Sequence, residues 1–177
     1  MTIPSRKKEL RGELRRRMEG QPEDSANVVG KITSYLREHP ELKVVSLFAP
    51  LAGEVDLRTL PGEIRRTWVF PKVLGASLVF HVVEDMQRDL TPGAYGIMEP
   101  SDTLKTVRVG EIDLFLCPGL GFDLQGGRIG RGKGFYDRIL VEARPDAVRI
   151  GVCFSHQMLD EIPMEDHDIR MDGVIAG

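Results

Sequence analysis

The amino-acid sequence predicts a single three-layer α/β/α domain, spanning residues 1–177, with a largely parallel but mixed open sheet. Short apolar runs of strand length alternate with helical patterns along the chain, as they do in α/β folds. The 177 residues include 41% hydrophobic and 29% charged side chains, values typical of one soluble globular domain. No internal repeat, low-complexity tract or linker divides the sequence.

The predicted elements follow in a regular order. Residues 5–19 predict a first amphipathic helix, a second follows a turn at residues 20–24, and a third covers residues 135–143. Gly75, Ala76 and Ser77 separate two strands closely enough to predict a hairpin. The predicted strands are residues 44–48, 68–70, 78–83, 112–117, 148–154 and 173–177.

Composition excludes several classes of protein. A net charge of −3 argues against a general nucleic-acid binder, so any basic segment is a local feature. The two cysteines, Cys117 and Cys153, fall in predicted buried strands and indicate core packing in a reducing compartment rather than a disulfide framework. No apolar run approaches the roughly 20 residues of a membrane span, so we expect a cytoplasmic protein with no membrane partner.

A glycine-rich cationic loop lies between the buried strand at residues 112–117 and the helix that begins at Phe135. Glycines allow backbone N–H groups to approach a phosphate closely, and cationic side chains add full charges, so the loop predicts a polyphosphate site. Residues 127–133 fit the first seven positions of a Walker A loop, but Gly134 replaces the Ser or Thr that would bind Mg²⁺. An ordinary P-loop enzyme is therefore not expected. The loop contains Gly126, Gly127, Arg128, Ile129, Gly130, Arg131, Gly132, Lys133 and Gly134.

The first helix carries cations on its apolar face. At about 100° per residue, Lys7 and Arg11 fall on the same stripe as the apolar positions, whereas Arg15 and the remaining basic residues fall to the sides or opposite. Two interpretations remain open from the pattern alone. The stripe borders an anion-filled cleft, or the two side chains extend along the edge of the core and keep their charges in water.

Other candidate residues stand in loops. Glu54 follows a predicted strand, at the edge of an α/β sheet where ligands gather, although a solvated loop glutamate has the same sequence pattern. Tyr95 is suited either to stacking on a flat ligand or to packing within its loop. The acidic cluster that ends in His167 and Asp168 indicates either a metal site or a polar loop with a helix cap.

Two motifs resemble the 5-formyltetrahydrofolate cyclo-ligase family, also called methenyltetrahydrofolate synthetases. They are Gly119-Leu-Gly-Phe-Asp123 and Gly127-Arg-Ile-Gly-Arg-Gly-Lys-Gly-Phe-Tyr-Asp137. Lys7-Lys-Glu-Leu-Arg11, Glu54, the segment 93–100 and the His167-Asp168 pair extend the resemblance over nearly the whole chain. The sequence departs from the family pattern at Phe135, where many members have Tyr, and at Ala176-Gly177, where members usually have Thr-Glu.

The resemblance implies an enzyme that uses ATP and Mg²⁺ to convert 5-formyltetrahydrofolate to 5,10-methenyltetrahydrofolate, through phosphorylation of the formyl oxygen and with release of ADP and phosphate. It implies small-molecule substrates, reduced folate and ATP, and we expect a monomer that binds no nucleic acid. The residues it assigns to ATP are Lys7, Arg11, Arg128, Ile129, Gly130, Arg131, Gly132, Lys133, Gly134, Phe135 and Tyr136. It assigns Arg11, Glu54, Tyr95 and Phe135 to the folate, Asp137 and Asp168 to the metal, and catalysis to Arg131, Lys133 and Tyr136.

A non-catalytic role for the glycine loop is the alternative. Together with the basic first helix, the loop has the cations expected of a protein that binds nucleotides or single-stranded RNA without turnover. The acidic net charge and the 6% content of aromatic side chains tell against RNA, because aromatic platforms for bases are scarce.

Overall fold

The computed structural model describes residues 2–21 and 24–177. The helices are α1 (Ile3–Met18), α2 (Ser25–Glu38), α3 (Leu60–Glu63), α4 (Met86–Asp89) and α5 (Phe135–Leu140). The first six strands are β1 (Val44–Ser46), β2 (Thr67–Leu74), β3 (Ser77–Val82), β4 (Leu90–Pro92), β5 (Met98–Pro100) and β6 (Thr106–Val107). The others are β7 (Leu114–Cys117), β8 (Gly121–Asp123), β9 (Arg128–Ile129), β10 (Val148–Cys153), β11 (Met158–Leu159) and β12 (Gly173–Ala176).

A seven-stranded sheet with the order β12-β10-β7-β1-β2-β3-β6 forms the centre of the fold. The five strands from β12 to β2 are parallel to one another. At the end of the sheet β3 is antiparallel to β2, and β6 is antiparallel to β3. The chain leaves β1 toward β2 on one side, whereas it leaves β7 toward β10 on the other. Connections therefore diverge between β1 and β7, which creates a crevice at the carboxyl ends of these two strands. The predicted mixed, largely parallel open sheet is confirmed.

Helices cover both faces of this sheet. Successive side chains of a strand point to opposite faces, so an entirely apolar strand needs a packing partner on each face. Leu114 and Leu116 of β7 belong to the core beneath α2, and Phe115 and Cys117 belong to the core beneath α5. The first helix instead packs on a smaller apolar cluster. That cluster consists of Leu10, Leu14, Leu120, Ile129 and Ile162.

The predicted hairpin is confirmed, but the strand that enters it is longer than the sequence indicated. β2 continues through Pro71 to Leu74, and the turn has Gly75 at φ +61°. Pairing with β1 ends at Val69, and beyond it β2 pairs only with β3. A strand paired on one side accommodates a residue without an N–H, which explains why Pro71 does not end it.

Other predicted boundaries also differ. The strand expected at residues 44–48 ends at Ser46, and the helix expected at residues 135–143 ends at Leu140, four residues before the Arg144-Pro145 step that disfavours helix. Residues predicted as loops form two small sheets, β11-β8-β9 and β4-β5. Strands of two or three residues have too few positions to show an alternating pattern.

The cysteines lie in the core, as predicted. Cys117 and Cys153 are free and buried, and burial raises the pKa of each thiol to about 12, so neither is a reactive thiolate at neutral pH. Among the residues that the structure describes, no helix combines the length and the apolar character needed to cross a membrane.

Candidate active site

A pocket of about 470 Å³ opens in the crevice between β1 and β7. Phe48 and Glu54 come from the segment after β1, Pro118 and Gly119 from the segment after β7, and the glycine loop closes another side. All residues that the resemblance assigned to ATP, folate or metal line this one pocket. They are Lys7, Arg11, Glu54, Tyr95, Arg128, Ile129, Gly130, Arg131, Gly132, Lys133, Gly134, Phe135, Tyr136, Asp137 and Asp168.

The glycine loop is held at both ends. Gly132 and Gly134 have φ values of +100° and +68°, in the left-handed region where a side chain is strained. At its far end, the Arg138 guanidinium donates to the Lys133 carbonyl at 2.9 Å and to the Ala76 carbonyl at 2.9 Å. The loop is thereby tied to the tip of the β2–β3 hairpin.

The near end of the loop depends on Asp123, which is 1% exposed. Its Oδ1 accepts from the N–H groups of Gln125 and Gly127, and its Oδ2 accepts from the N–H of Ile162 at 2.7 Å. A Cβ at Gly127 would lie 2.4 Å from Oδ2, so only glycine fits there. One buried carboxylate therefore fixes the β8–β9 turn and joins it to the segment that leads to Asp168.

Glu54 and Arg131 form a partly buried ion pair, in which the glutamate is buried and the arginine is partly exposed. The Arg131 Nε lies 2.8 Å from Glu54 Oε1, and its Nη2 donates to the Ala52 carbonyl at 3.0 Å. Glu54 also accepts from the Leu51 N–H at 2.9 Å. The residue assigned to the folate and one assigned to phosphate thus form an ion pair with each other.

Arg128 is held in a similar way by Asp137. Its Nη2 lies 3.0 Å from Asp137 Oδ1, its Nη1 donates to the Pro118 carbonyl at 3.2 Å, and its guanidinium lies 5.5 Å from the centre of the Tyr136 ring. The guanidinium is planar and stacks well on an aromatic face, which fixes the orientation of both side chains.

Tyr136 keeps its proton at neutral pH. Burial raises the pKa of its phenol well above 10, the negative charge of Glu54 adds to the effect, and Arg128 opposes it. Its hydroxyl is buried and has no hydrogen-bond partner among the residues described. A neutral phenol in this position is a hydrogen-bond donor for a ligand and not a base.

Lys7 points from α1 into the pocket. It is 5% exposed, its ammonium lies 2.9 Å from Glu165 Oε2, and it also contacts Asp168. Burial opposes ionisation of Asp168, but the N–H of Glu165 and the Lys7 ammonium outweigh it and hold the pKa of Asp168 below its usual value. The cationic stripe of α1 therefore borders the cleft, and the edge-of-core interpretation is wrong for Lys7.

Two further arginines of α1 reach the pocket. Arg11 donates from Nε to the Gly130 carbonyl at 3.0 Å, so it touches the glycine loop directly. Arg15 also lines the pocket, although it is mostly exposed and the helical wheel placed it outside the stripe. The correction has a simple cause: a long arginine side chain spans the angle that separates it from the stripe.

The candidate metal ligands are grouped differently from the predicted pair. Glu165, His167 and Asp168 have ligand atoms within 4.8 Å of one another, whereas Asp137 is engaged with Arg128. Carboxylate oxygens are the donors that Mg²⁺ prefers, so Glu165 and Asp168 fit a hard divalent cation, whereas the His167 nitrogen is not a typical Mg²⁺ ligand. The Lys7 ammonium forms ion pairs with both Glu165 and Asp168. It would have to turn toward another anion if a cation were bound by the two carboxylates.

Aromatic rings form the outer part of the pocket. Tyr95 has a φ of +57°, and its ring lies 6.3 Å from that of Phe135 and 5.1 Å from the Lys133 ammonium. In the parts of the chain that the structure covers, Lys133, Arg11 and Arg15 line the pocket and have no carboxylate partner, unlike Lys7, Arg128 and Arg131. The charges of these three cations are available to a ligand.

Sequence reasoning missed several residues of the pocket. Glu99 and Glu165 are acidic, and no role was assigned to either of them. The pattern did place Glu99 in a segment resembling the family and Glu165 in the acidic cluster, which were the available signals. The missed apolar lining includes Phe48, Pro71, Val73, Leu78 and Ile97.

The fold and the pocket together define an α/β protein with a pocket lined by cationic side chains at the switch point of its sheet. The family model for the 5-formyltetrahydrofolate cyclo-ligase family matches residues 4–177, and the chain belongs to that family. The resemblance noted in the sequence motifs is therefore confirmed.

Individual relatives agree with this assignment. A 5-formyltetrahydrofolate cyclo-ligase of Mycolicibacterium smegmatis is 42% identical over 88 residues, which cover 49% of this chain and 45% of that protein. The Mus musculus enzyme of the same name is 26% identical, and the match covers 99% of this chain and 95% of that protein. Aligned regions thus span about half of the first relative and nearly all of the second.

Solved structures show the same fold. The NMR structure of Aquifex aeolicus 5,10-methenyltetrahydrofolate synthetase superposes with a TM-score of 0.80 at 35% identity, covering 96% of this chain and 89% of that one. A 5,10-methenyltetrahydrofolate synthetase from Mycoplasma pneumoniae superposes with a TM-score of 0.75 at 25% identity, covering 96% and 97% of the two chains.

Proposed function

We propose that this protein cyclises 5-formyltetrahydrofolate to 5,10-methenyltetrahydrofolate at the expense of ATP, releasing ADP and phosphate. One observation carries the proposal beyond family membership. The glycine loop, cations without a carboxylate partner among the described residues (Arg11, Arg15 and Lys133) and an aromatic and apolar wall all border one pocket. Such a pocket suits a polyphosphate next to a flat heterocycle.

The reaction has two chemical steps. The formyl oxygen of the substrate attacks the γ-phosphorus of ATP, an O–P bond forms, and the bond to the β-phosphate oxygen breaks to release ADP. N10 then attacks the formyl carbon, the C–O bond breaks, and phosphate leaves with the proton lost from N10. The product is the 5,10-methenyl cation. Phosphorylation is needed because the oxygen of an amide is otherwise a poor leaving group.

The residues of the pocket act by positioning and by neutralising charge, as in other phosphoryl transfers. Lys133, Arg11 and the backbone N–H groups of residues 130–134 bind the phosphates. Tyr136 donates a hydrogen bond from its protonated hydroxyl. Glu165 and Asp168 would hold a divalent metal, with Asp137 facing the same pocket, and such a metal would neutralise further phosphate charge.

We also propose that residues 1–177 act as one domain, as a monomer and in the cytoplasm. The pocket draws residues from Lys7 through Asp168 of a single chain, and no second chain is needed to complete its lining. The substrates are small molecules, and the net charge of −3 disfavours nucleic acid.

The proposal is tested by mixing the protein with 5-formyltetrahydrofolate, ATP and Mg²⁺ and following absorbance in the methenyl-folate band. We expect absorbance to rise only when protein, folate and ATP are all present. ATP binding without any product would instead support the non-catalytic nucleotide-binding alternative. If the protein binds neither ATP nor the folate, both the proposed function and this alternative are wrong.

Metal removal should lower turnover at least about tenfold, because the pocket's free cations must otherwise face the full charge of a triphosphate. The measurement is the initial rate after exhaustive chelation, followed by addition of Mg²⁺, which should restore it. Turnover that is unchanged by chelation would exclude a metal role for Asp168 and Asp137.

Arg11→Ala should weaken binding of ATP and of 5-formyltetrahydrofolate together, each by roughly tenfold, because a guanidinium beside the glycine loop loses contacts to both anions. Arg17→Ala, on the exposed side of the same helix, is the matched control and should bind like wild type. Calorimetric titration at fixed ionic strength measures both affinities. Equal losses for the two variants would indicate a diffuse basic surface.

A further inference from the structure

A buried carboxylate that can accept further hydrogen bonds lines the apolar part of the pocket, away from the cationic glycine loop. Glu99 lies in β5 and is 6% exposed, yet it borders the pocket. Its Oε1 accepts from the N–H of Val73 at 3.1 Å. Within residues 2–21 and 24–177, no cation pairs with Glu99 and no donor reaches its Oε2.

The contact with Val73 explains how the carboxylate is positioned. Val73 pairs with Leu78 of β3, and β1 no longer flanks β2 at this point, so the Val73 N–H has no strand partner on that side. Glu99 satisfies that N–H from the adjoining ribbon. On its other side, Gly93 packs so closely that a Cβ there would lie 2.2 Å from Oε2. The side chain is therefore fixed in place before any ligand arrives.

One backbone hydrogen bond is poor compensation for burying a charge. A buried carboxylate is normally paired with a cation or accepts several hydrogen bonds, because desolvation costs several kcal/mol. Asp123 in the same protein meets this expectation, with three backbone N–H donors. Among the described residues Glu99 does not meet it, which leaves water or a ligand in the pocket to supply the missing donors.

The surroundings of Glu99 define that ligand. Pro71, Val73, Leu78 and Ile97 line the same part of the pocket, and they suit a flat and largely apolar ring. A hydrogen bond to a carboxylate is strengthened by such apolar surroundings. The ligand group must therefore be an uncharged or cationic ring that carries N–H donors on one edge.

We propose that Glu99 is a specificity-determining residue that binds the 2-amino group and N3–H of the reduced pterin ring. These two donors are parallel and match the two lone-pair directions of a carboxylate. Adenine presents a donor beside an acceptor and fits less well. The proposal rests on the proposed function. It separates the roles of the two acids, because Glu54 is already engaged with Arg131 and the Leu51 N–H.

Glu99→Gln tests this assignment at constant size, since the amide oxygen still accepts from Val73. We expect KM for 5-formyltetrahydrofolate to rise about 30- to 100-fold. The amide N–H of the glutamine faces an N–H of the ligand, and the charge-assisted hydrogen bond to the carboxylate is lost. ATP affinity should change less than about twofold. Glu84→Gln, an exposed glutamate outside the pocket, is the control and should match wild type.

A substrate analogue without the 2-amino group separates recognition from structure. Wild type should bind it at least about tenfold more weakly than the parent folate, and Glu99→Gln should bind the two with nearly equal affinity. A purely structural role for Glu99 would weaken both ligands alike and preserve the preference, which would overturn the proposal. If the variant does not fold, equal binding of the two ligands to wild type would overturn it as well.

The two proposals fail in different ways. Absence of methenyl product from the wild-type protein removes the proposed function. Normal turnover in wild type together with an unchanged KM in Glu99→Gln removes only the role of Glu99.

Discussion

Lys133→Ala is expected to lower kcat by about 30- to 1000-fold, since a charge-assisted phosphate contact in a closed site contributes roughly 2–4 kcal/mol to the transition state. Lys133 is exposed, lies over the Tyr95 ring and has no carboxylate partner among the described residues. Its charge is therefore available to a ligand. Because the γ-phosphoryl group gains charge contacts as it moves, kcat should fall more than the affinity for ATP.

Steady-state rates of methenyl-folate formation measure this effect. Lys8→Ala is the matched control, because Lys8 is exposed on α1 outside the pocket, and its rate should equal that of wild type. The thermal midpoint of Lys133→Ala should also equal that of wild type, since the side chain makes no buried contact. A rate within about twofold of wild type would mean that the glycine loop is not the phosphate site.

Asp123→Ala is expected to lower the free energy of unfolding by about 3–5 kcal/mol, because it leaves three N–H groups without their buried acceptor. The rate of turnover should fall too, because the same carboxylate joins the β8–β9 turn to the segment before Glu165 and Asp168. Asp123→Asn keeps the volume but turns one acceptor into a donor. We expect it to cost about 1–3 kcal/mol.

Urea denaturation with a common m-value measures both changes. Asp160→Ala, an exposed aspartate two residues before Ile162, is the control and should stay within about 0.5 kcal/mol of wild type. If Asp123→Ala is as stable as the control, the three hydrogen bonds contribute little. The rigidity of the loop would then have another origin.

The parts of the fold that the sequence predicted are those with long apolar patterns. The buried strand at β7 and the β2–β3 hairpin were recognisable, because each has several consecutive residues on one period. β9, with two residues between Gly127 and Gly130, was predicted as loop. Its ladder exists only because α1 and Ile162 pack against that region, and such tertiary contacts leave no local pattern.

The candidate site was predictable as a set of residues but not as an arrangement. The motifs named residues that line one pocket, and the apolar stripe of α1 correctly placed Lys7 toward it. Which carboxylate faces which cation depends on side-chain geometry between segments far apart in the chain. Glu54 with Arg131, and Asp137 with Arg128, are partnerships of that kind. The roles themselves remain predictions for the experiments above.

The ion pairs between acidic and basic side chains within the pocket have a consequence for selectivity between anions. Chloride or acetate would have to compete with Glu54 for Arg131, and with Asp168 and Glu165 for Lys7, while offering one charge to one cation. Each exchange replaces one monoanion by another and yields little free energy. A chain of phosphates would contact several cations at once, so the free energies of these contacts would add and would exceed the cost of displacing each carboxylate. The acidic side chains of the pocket thus disfavour binding of monovalent anions and leave polyvalent anions as the ligands that bind.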